Sequence, residues 1–161
     1  MKILRFLAIV VLAVPMGLLL AGQIGLLSGR PPRELGVTAG RLSPPSLTPN
    51  SVSSQAELYP DHPQKSYATI APLGYTGDGE VAMKRLATLL QESKRTVVVT
   101  QGADYIYAQS STALLKFTDD LEFSLDKPNN VIQVRSASRL GQKDFGVNRA
   151  RMEAIRVKFT P

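Results

Sequence analysis

A chain of 161 residues with no cysteine has no disulfide, thiolate nucleophile or Cys-ligated zinc available to it, so its redox compartment cannot be read from its thiols. A long apolar start and a Pro/Ser-rich continuation leave room for one compact domain of roughly a hundred residues or fewer. The net charge of +6 falls to +3 over residues 31–161 once Lys2, Arg5 and Arg30 are set apart, and Lys and Arg there are interleaved with Asp and Glu. No dense basic stripe with interleaved aromatics is present, so nucleic acid is not an expected partner. A weak attraction to anionic lipid head groups stays open.

Phe6 to Leu27 is a run of 22 uncharged residues, and at about 1.5 Å per residue it reads as a single-pass transmembrane helix across a hydrocarbon core of about 30 Å. The rival is a cleaved signal peptide, whose apolar region is usually shorter and ends at paired small residues that this stretch lacks. A lipid-modified cysteine anchor is excluded. Lys2 and Arg5 before the span, against Arg30 and Arg33 offset by Glu34 after it, favour a cytoplasmic N-terminus with the rest of the chain outside, in the periplasm or an equivalent lumen. Pro15 and Gly17 fit within a membrane helix.

The expected division is an anchor over 1–28, an extended Pro/Ser-rich arm over 29–78 and a compact α+β domain over 79–161. The stretch from Ser28 to Gly79 holds eight prolines and neither a helical nor a strand period, so no long regular element fits. Two readings of the arm stand: a solvated tether, or a strap in register along the domain, with residues 41–45 (RLSPP) and 49–55 (PNSVSSQ) as the segments to lie there. His62 is a lone loop histidine with no second ligand nearby in sequence, and no metal or other cofactor is expected.

Asp78 is placed to cap a helix over about 79–93, with Ala82, Leu86, Leu89 and Leu90 on its apolar face and Lys94 and Arg95 at its end. Residues 96–100 (TVVVT) read as a strand, Tyr105 to Gln109 as a second, Leu114 to Leu125 as a third and Val131 to Leu140 as a fourth, the last two joined by a turn built on Pro128, Asn129 and Asn130. The expected fold is therefore a sheet of about four antiparallel strands with one helix before and one after it. Placing Phe117, Leu121, Phe123 and Leu125 on one face predicts the pairs Leu125–Ile132, Phe123–Val134, Leu121–Ser136 and Asp119–Ser138. The other face then receives a Glu122–Arg135 pair and Asp120 diagonal to Arg139. Asp119 falls at an inward position and must be hydrogen-bonded, ion-paired or neutralised there.

A closing helix over about 149–158 is expected, with Asn148 as its cap and Met152, Ile155 and Phe159 buried. Arg149 and Arg151 oppose the dipole in its first turn unless they pair elsewhere, with Asp119, Asp120 or Asp144 as candidates. That inconsistency marks the polar set Asp119, Asp120, Glu122, Arg135, Ser136, Ser138, Arg139, Asn148 and Arg149 as the candidate binding surface.

Residues 30–37 (RPPRELGV), 49–56 (PNSVSSQA), 117–123 (FTDDLEF), 135–141 (RSASRLG) and 144–149 (DFGVNR) resemble, in order, blocks of the bacterial and plastid proteins grouped as domain of unknown function 1499. The resemblance implies a domain placed behind a membrane-spanning or targeting segment and assigns no activity. The family pattern carries two cysteines where this chain has Pro45 and Ser51, so any thiol role in relatives has no counterpart here.

Three functions remain open. The first is a non-catalytic domain that binds a lipid, a cell-envelope component or a protein through the polar set. The second is a hydrolase or transferase using Asp119 or Asp120 as acid or base with Arg135 or Arg139 steadying an anion. In the third, the same residues form a structural network and function lies elsewhere.

Overall fold

The computed structural model describes residues 2–159, with backbone only for Leu4, Arg5, Phe6 and Ala8. Arg5 and Phe6, which enter the expected anchor and its orientation, and Thr160 and Pro161, at the end of the expected domain, therefore lie wholly or in their side chains outside the described residues. The first helix, α1, spans Lys2–Gln23 and is followed by turns over 24–27. Its longest unbroken run of described side chains is 9–23, and among the described residues no helix is long and apolar enough to cross a membrane.

The arm that follows contributes β1 (Ser51–Ser53), a one-turn α2 (Lys65–Ala68) and β2 (Leu73–Gly74). Then come α3 (Gly79–Glu92), β3 (Thr96–Gln101), β4 (Tyr105–Ser111), β5 (Thr118–Asp126), β6 (Val131–Ser138) and α4 (Val147–Phe159). The α+β class holds, but the sheet has six antiparallel strands rather than four, in the order β1-β6-β5-β4-β3 with β2 also on β6. The two extra strands have three and two residues, too few for an alternating pattern to register in sequence. They lie end to end along β6, Val52 opposite Ser136 and Leu73 opposite Ile132. The arm is thus a strap in register.

The β5–β6 hairpin has the expected pairing throughout, including Leu125–Ile132, Phe123–Val134, Leu121–Ser136, Asp119–Ser138 and Glu122–Arg135. Its turn works as the residues demand: the Asp126 side chain accepts from the Asn129 amide, and Asn130 takes the left-handed conformation (φ 52°) that asparagine tolerates. One correction concerns the start of β5. Leu114 to Phe117 are not strand but a turn, closed by Lys116 at φ 57°, and this leaves Phe117 at the surface, 37% exposed, instead of in the core.

α3 begins as expected, with the Asp78 carboxylate accepting from the amides of Glu80 and Val81. α4 corrects its expected cap. It starts two residues earlier, at Val147, and Asp144 takes the capping role by accepting from the amides of Gly146 and Asn148. Gly146, at φ 81°, supplies the turn between them. Both helices pack on one face of the sheet, where Leu86, Leu90, Ile106, Leu121, Phe123, Ile132, Val134, Met152 and Phe159 share a core with Val52, Ile70, Leu73 and Tyr75 from the arm.

The arm also reaches the opposite face, through the Gly36 amide and the Pro44 carbonyl. Leu42 is 1% exposed, and its amide donates to the Gln55 side chain at 2.8 Å. If the strap is integral, Leu42→Ala costs about 2–5 kcal/mol in urea unfolding, as for a core leucine. A loss below about 0.5 kcal/mol is what a loose tether gives.

Candidate functional site

The nine candidate residues divide between the two faces of β5 and β6. On the helix side, Asp119 meets Arg151 at 2.6 Å, so the inward carboxylate is ion-paired. Arg151 also donates to the Asn148 side-chain oxygen at 2.9 Å. Asn148 is fully buried; its oxygen accepts from Ser136, and its amide nitrogen donates to Ser138 at 2.9 Å and to the Asn50 carbonyl at 3.0 Å. The side chain expected to cap α4 is instead a bolt between the helix, the end of β6 and the arm. Arg149 takes no acidic partner from the candidates: its guanidinium donates to the Tyr67 carbonyl of the arm in a half-buried contact.

Capping matters here because Asp144 carries three donors, the two amides and the Tyr67 hydroxyl. Burial alone would raise this carboxyl, but the bond from Tyr67 and those from Asn148 and Gly146 outweigh it and hold it below the usual carboxylate range.

On the outer face the expectation of a charged, solvent-facing surface fails. Glu122 is 0% and Asp120 1% exposed. Glu122 accepts from Arg135 at 3.1 Å, from the Tyr105 hydroxyl at 2.8 Å and from the Gly36 amide at 2.8 Å, while Arg135 also donates to the Pro44 carbonyl. Asp120 accepts from two guanidinium nitrogens of Arg139, at 2.9 and 2.7 Å, and from the Tyr107 hydroxyl at 2.6 Å. Burial, then the neighbouring carboxylates, push the Tyr105 hydroxyl well up and raise that of Tyr107, and the bonds to Asp120 raise Arg139. Cross-strand pairing alone did not signal the covering arm, because the strap reaches these charges through backbone groups that any sequence has.

These carboxylates are saturated. An acid or base must come within hydrogen-bond reach of its substrate, and Asp120 and Glu122 have no open side from which to be approached. Among the described residues, Asn50 Oδ1 is the one buried side-chain nitrogen or oxygen without a partner, and no group of three or more His, Cys, Asp or Glu is placed to hold a metal.

Two of the nine do reach a cavity. Asp119 and Ser138 sit in the wall of a groove of about 410 Å³ whose other lining is mainly apolar, from Phe117, Leu140, Phe145 and Val147. Phe145 is 92% exposed and holds φ 52°, a conformation costing an ordinary side chain about 1 kcal/mol or more. Sequence reading missed it, although its place between a capping Asp144 and the turn glycine Gly146 is what pins it there. The last turn of α1 docks beside this groove. A Cβ on Gly22 would stand 2.6 Å from the Leu115 carbonyl oxygen, so only glycine permits that approach, and Gln23 donates to the Leu114 carbonyl at 3.0 Å.

A family model described as Protein of unknown function (DUF1499) matches residues 41–159. The chain therefore belongs to this family, and the match runs from the strap to the last residue of α4. No curated protein and no solved structure was found to match it.

A depressed carboxyl stabilises the fold above its unfolded value of about 4 and loses that contribution as pH falls through the lower folded value. Asp144→Asn should therefore destabilise at pH 7, and its deficit in urea unfolding should shrink on acidification below about pH 4. A deficit that stays constant into acid would show that the ionised form is not what stabilises.

Proposed function

We propose that this is a single-pass membrane protein with its N-terminus in the cytoplasm and its α+β domain outside, in the periplasm or an equivalent lumen. On this reading the domain binds lipid rather than catalysing a reaction. The groove beneath Phe117, Leu140 and Phe145 takes an apolar chain. The observation that carries the reading is Phe145, a nearly fully exposed aromatic held in a costly backbone conformation at the rim of that groove, on the same edge where α1 ends.

Two further points support it. The described apolar side chains of α1 stand uncovered by protein, with Val11 at 68%, Leu12 at 73% and Leu20 at 59% exposure, and a helix apolar on all sides needs a protein core or a bilayer around it. The apolar patch of Leu114, Phe117, Leu140 and Phe145 is gathered at the foot of that helix rather than scattered, as a surface meeting head groups would have it. For Asp120, Glu122, Arg135, Ser136, Arg139, Asn148 and Arg149 the reading is structural, since each is spent inside the fold. Asp119 and Ser138 remain as the polar floor of the binding groove.

The native chain lacks cysteine, so single-cysteine labelling is specific. With a polarity-sensitive fluorophore on Phe145→Cys in full-length protein in nanodiscs, emission shifts to the blue and nitroxide-bearing lipids quench it. The same fluorophore on Thr76→Cys, at the far end of β5, stays aqueous, and in intact cells that thiol reacts with a membrane-impermeant reagent. An aqueous probe at position 145 would defeat the lipid reading; a protected thiol at position 76 would defeat the orientation.

A further inference from the structure

A second cavity, of about 670 Å³, adjoins the groove and shares Thr112 and Val147 with it. It lies between the end of α3, the paired edge of β3 and β4, and the outer side of α4. It differs from the groove in charge, although Leu90, Val147 and Ile155 keep much of its wall apolar. Lys94, Arg95, Arg151 and Lys158 line it with the hydroxyls of Ser110, Ser111 and Thr112, against one acid, Glu92. Among the described residues, Lys94, Arg95 and Lys158 form no ion pair with any carboxylate, and all three are exposed.

The cations at the end of α3 have an ordinary partial explanation, because that helix terminus carries the negative end of its dipole. Lys158, in the last turn of α4, has the same partial explanation from its own helix, but neither dipole explains the backbone of Arg95. Arg95 holds φ 60°, at a position just beyond a helix end where glycine is the unstrained residue. Its carbonyl is locked there by the Ser111 amide at 2.9 Å. A residue kept in such a conformation points to a role for its side chain. Arg151 joins the two cavities: it lines the basic one, while its guanidinium is fixed at 2.6 Å on Asp119, which lines the apolar one.

We propose that the basic cavity is the headgroup site for an anionic phospholipid whose acyl chain lies in the neighbouring groove, with the phosphate held by Lys94, Arg95 and Lys158 and by the hydroxyls at the end of β4. The inference rests on the lipid reading above and adds the chemical class of the ligand. An apolar groove beside a cavity with cations and hydroxyls in its wall matches the two halves of such a molecule, and cations near a bilayer surface favour anionic head groups.

The test uses the full chain in neutral detergent, with native mass spectrometry reading bound lipid during titration with phosphatidylglycerol or phosphatidylcholine, and with glycerol 3-phosphate as the soluble control. Phosphatidylglycerol should be retained about tenfold more tightly than phosphatidylcholine. The Lys94→Glu/Lys158→Glu variant should bring the two lipids level. Arg95→Gly, which relieves the backbone and should melt no lower than the native chain, should also lose much of the preference; a purely structural arginine would leave it intact. Equal retention of the two lipids by the native chain, with Phe145→Asp weakening both, overturns the headgroup site while leaving the groove standing. Retention of neither lipid overturns both. Glycerol 3-phosphate binding as tightly as phosphatidylglycerol overturns the lipid assignment, leaving a site for a soluble phosphate.

Discussion

Three carboxylates on β5, Asp119, Asp120 and Glu122, are buried, and the domain depends on each having its own arginine: Arg151, Arg139 and Arg135. An unpaired charge at such a site costs several kcal/mol, roughly 3–5 when one partner is removed. Pairing therefore decides what else the chain must do. Arg151 has to come from α4, which fixes that helix over the end of the sheet. Glu122 and Arg135 have to be shielded and completed by backbone groups of the strap, which is why residues 34–44 cross the outer face rather than trailing into solvent.

Such an arrangement separates scaffold from surface. The most conspicuous chemistry in the sequence is turned inward and used up in holding the sheet, strap and α4 together. What remains at the surface is less conspicuous: two exposed phenylalanines, Leu140, and cations without ion-pair partners around Arg95. Two of the strained non-glycine residues, Arg95 and Phe145, line the two adjoining cavities. Under the proposed anchoring, the foot of α1 sets that edge against the head groups, so that apolar groove and basic cavity both lie within reach of one lipid.

How much of this was legible in the sequence varies by element, for physical reasons. The β5–β6 register was readable because alternation over eight or nine residues allows only one pairing that buries Leu121, Phe123, Ile132 and Val134 together. Arg151 was readable as a residue in search of an acid, since a cation in a first helical turn is a local conflict. β1 and β2 were not readable as strands, being too short for an alternating pattern to register, and neither was the strap over Glu122, which acts through the Gly36 amide and the Pro44 carbonyl. Phe117 and Phe145 were misjudged or passed over for the same reason. Aromatic residues are read as core by default, and only the left-handed turns at Lys116 and Phe145 turn these two outward.

The separation of scaffold from surface is tested most directly by replacing one buried pair with apolar residues of similar size. Arg139→Met alone strands Asp120 and should lower stability by about 3–5 kcal/mol, whereas Asp120→Leu/Arg139→Met together should recover most of the loss. If the pair is scaffold, the double variant also binds lipid like the native chain. A double variant that is stable yet no longer binds would contradict this, and would return Asp120 and Arg139 to the binding site itself.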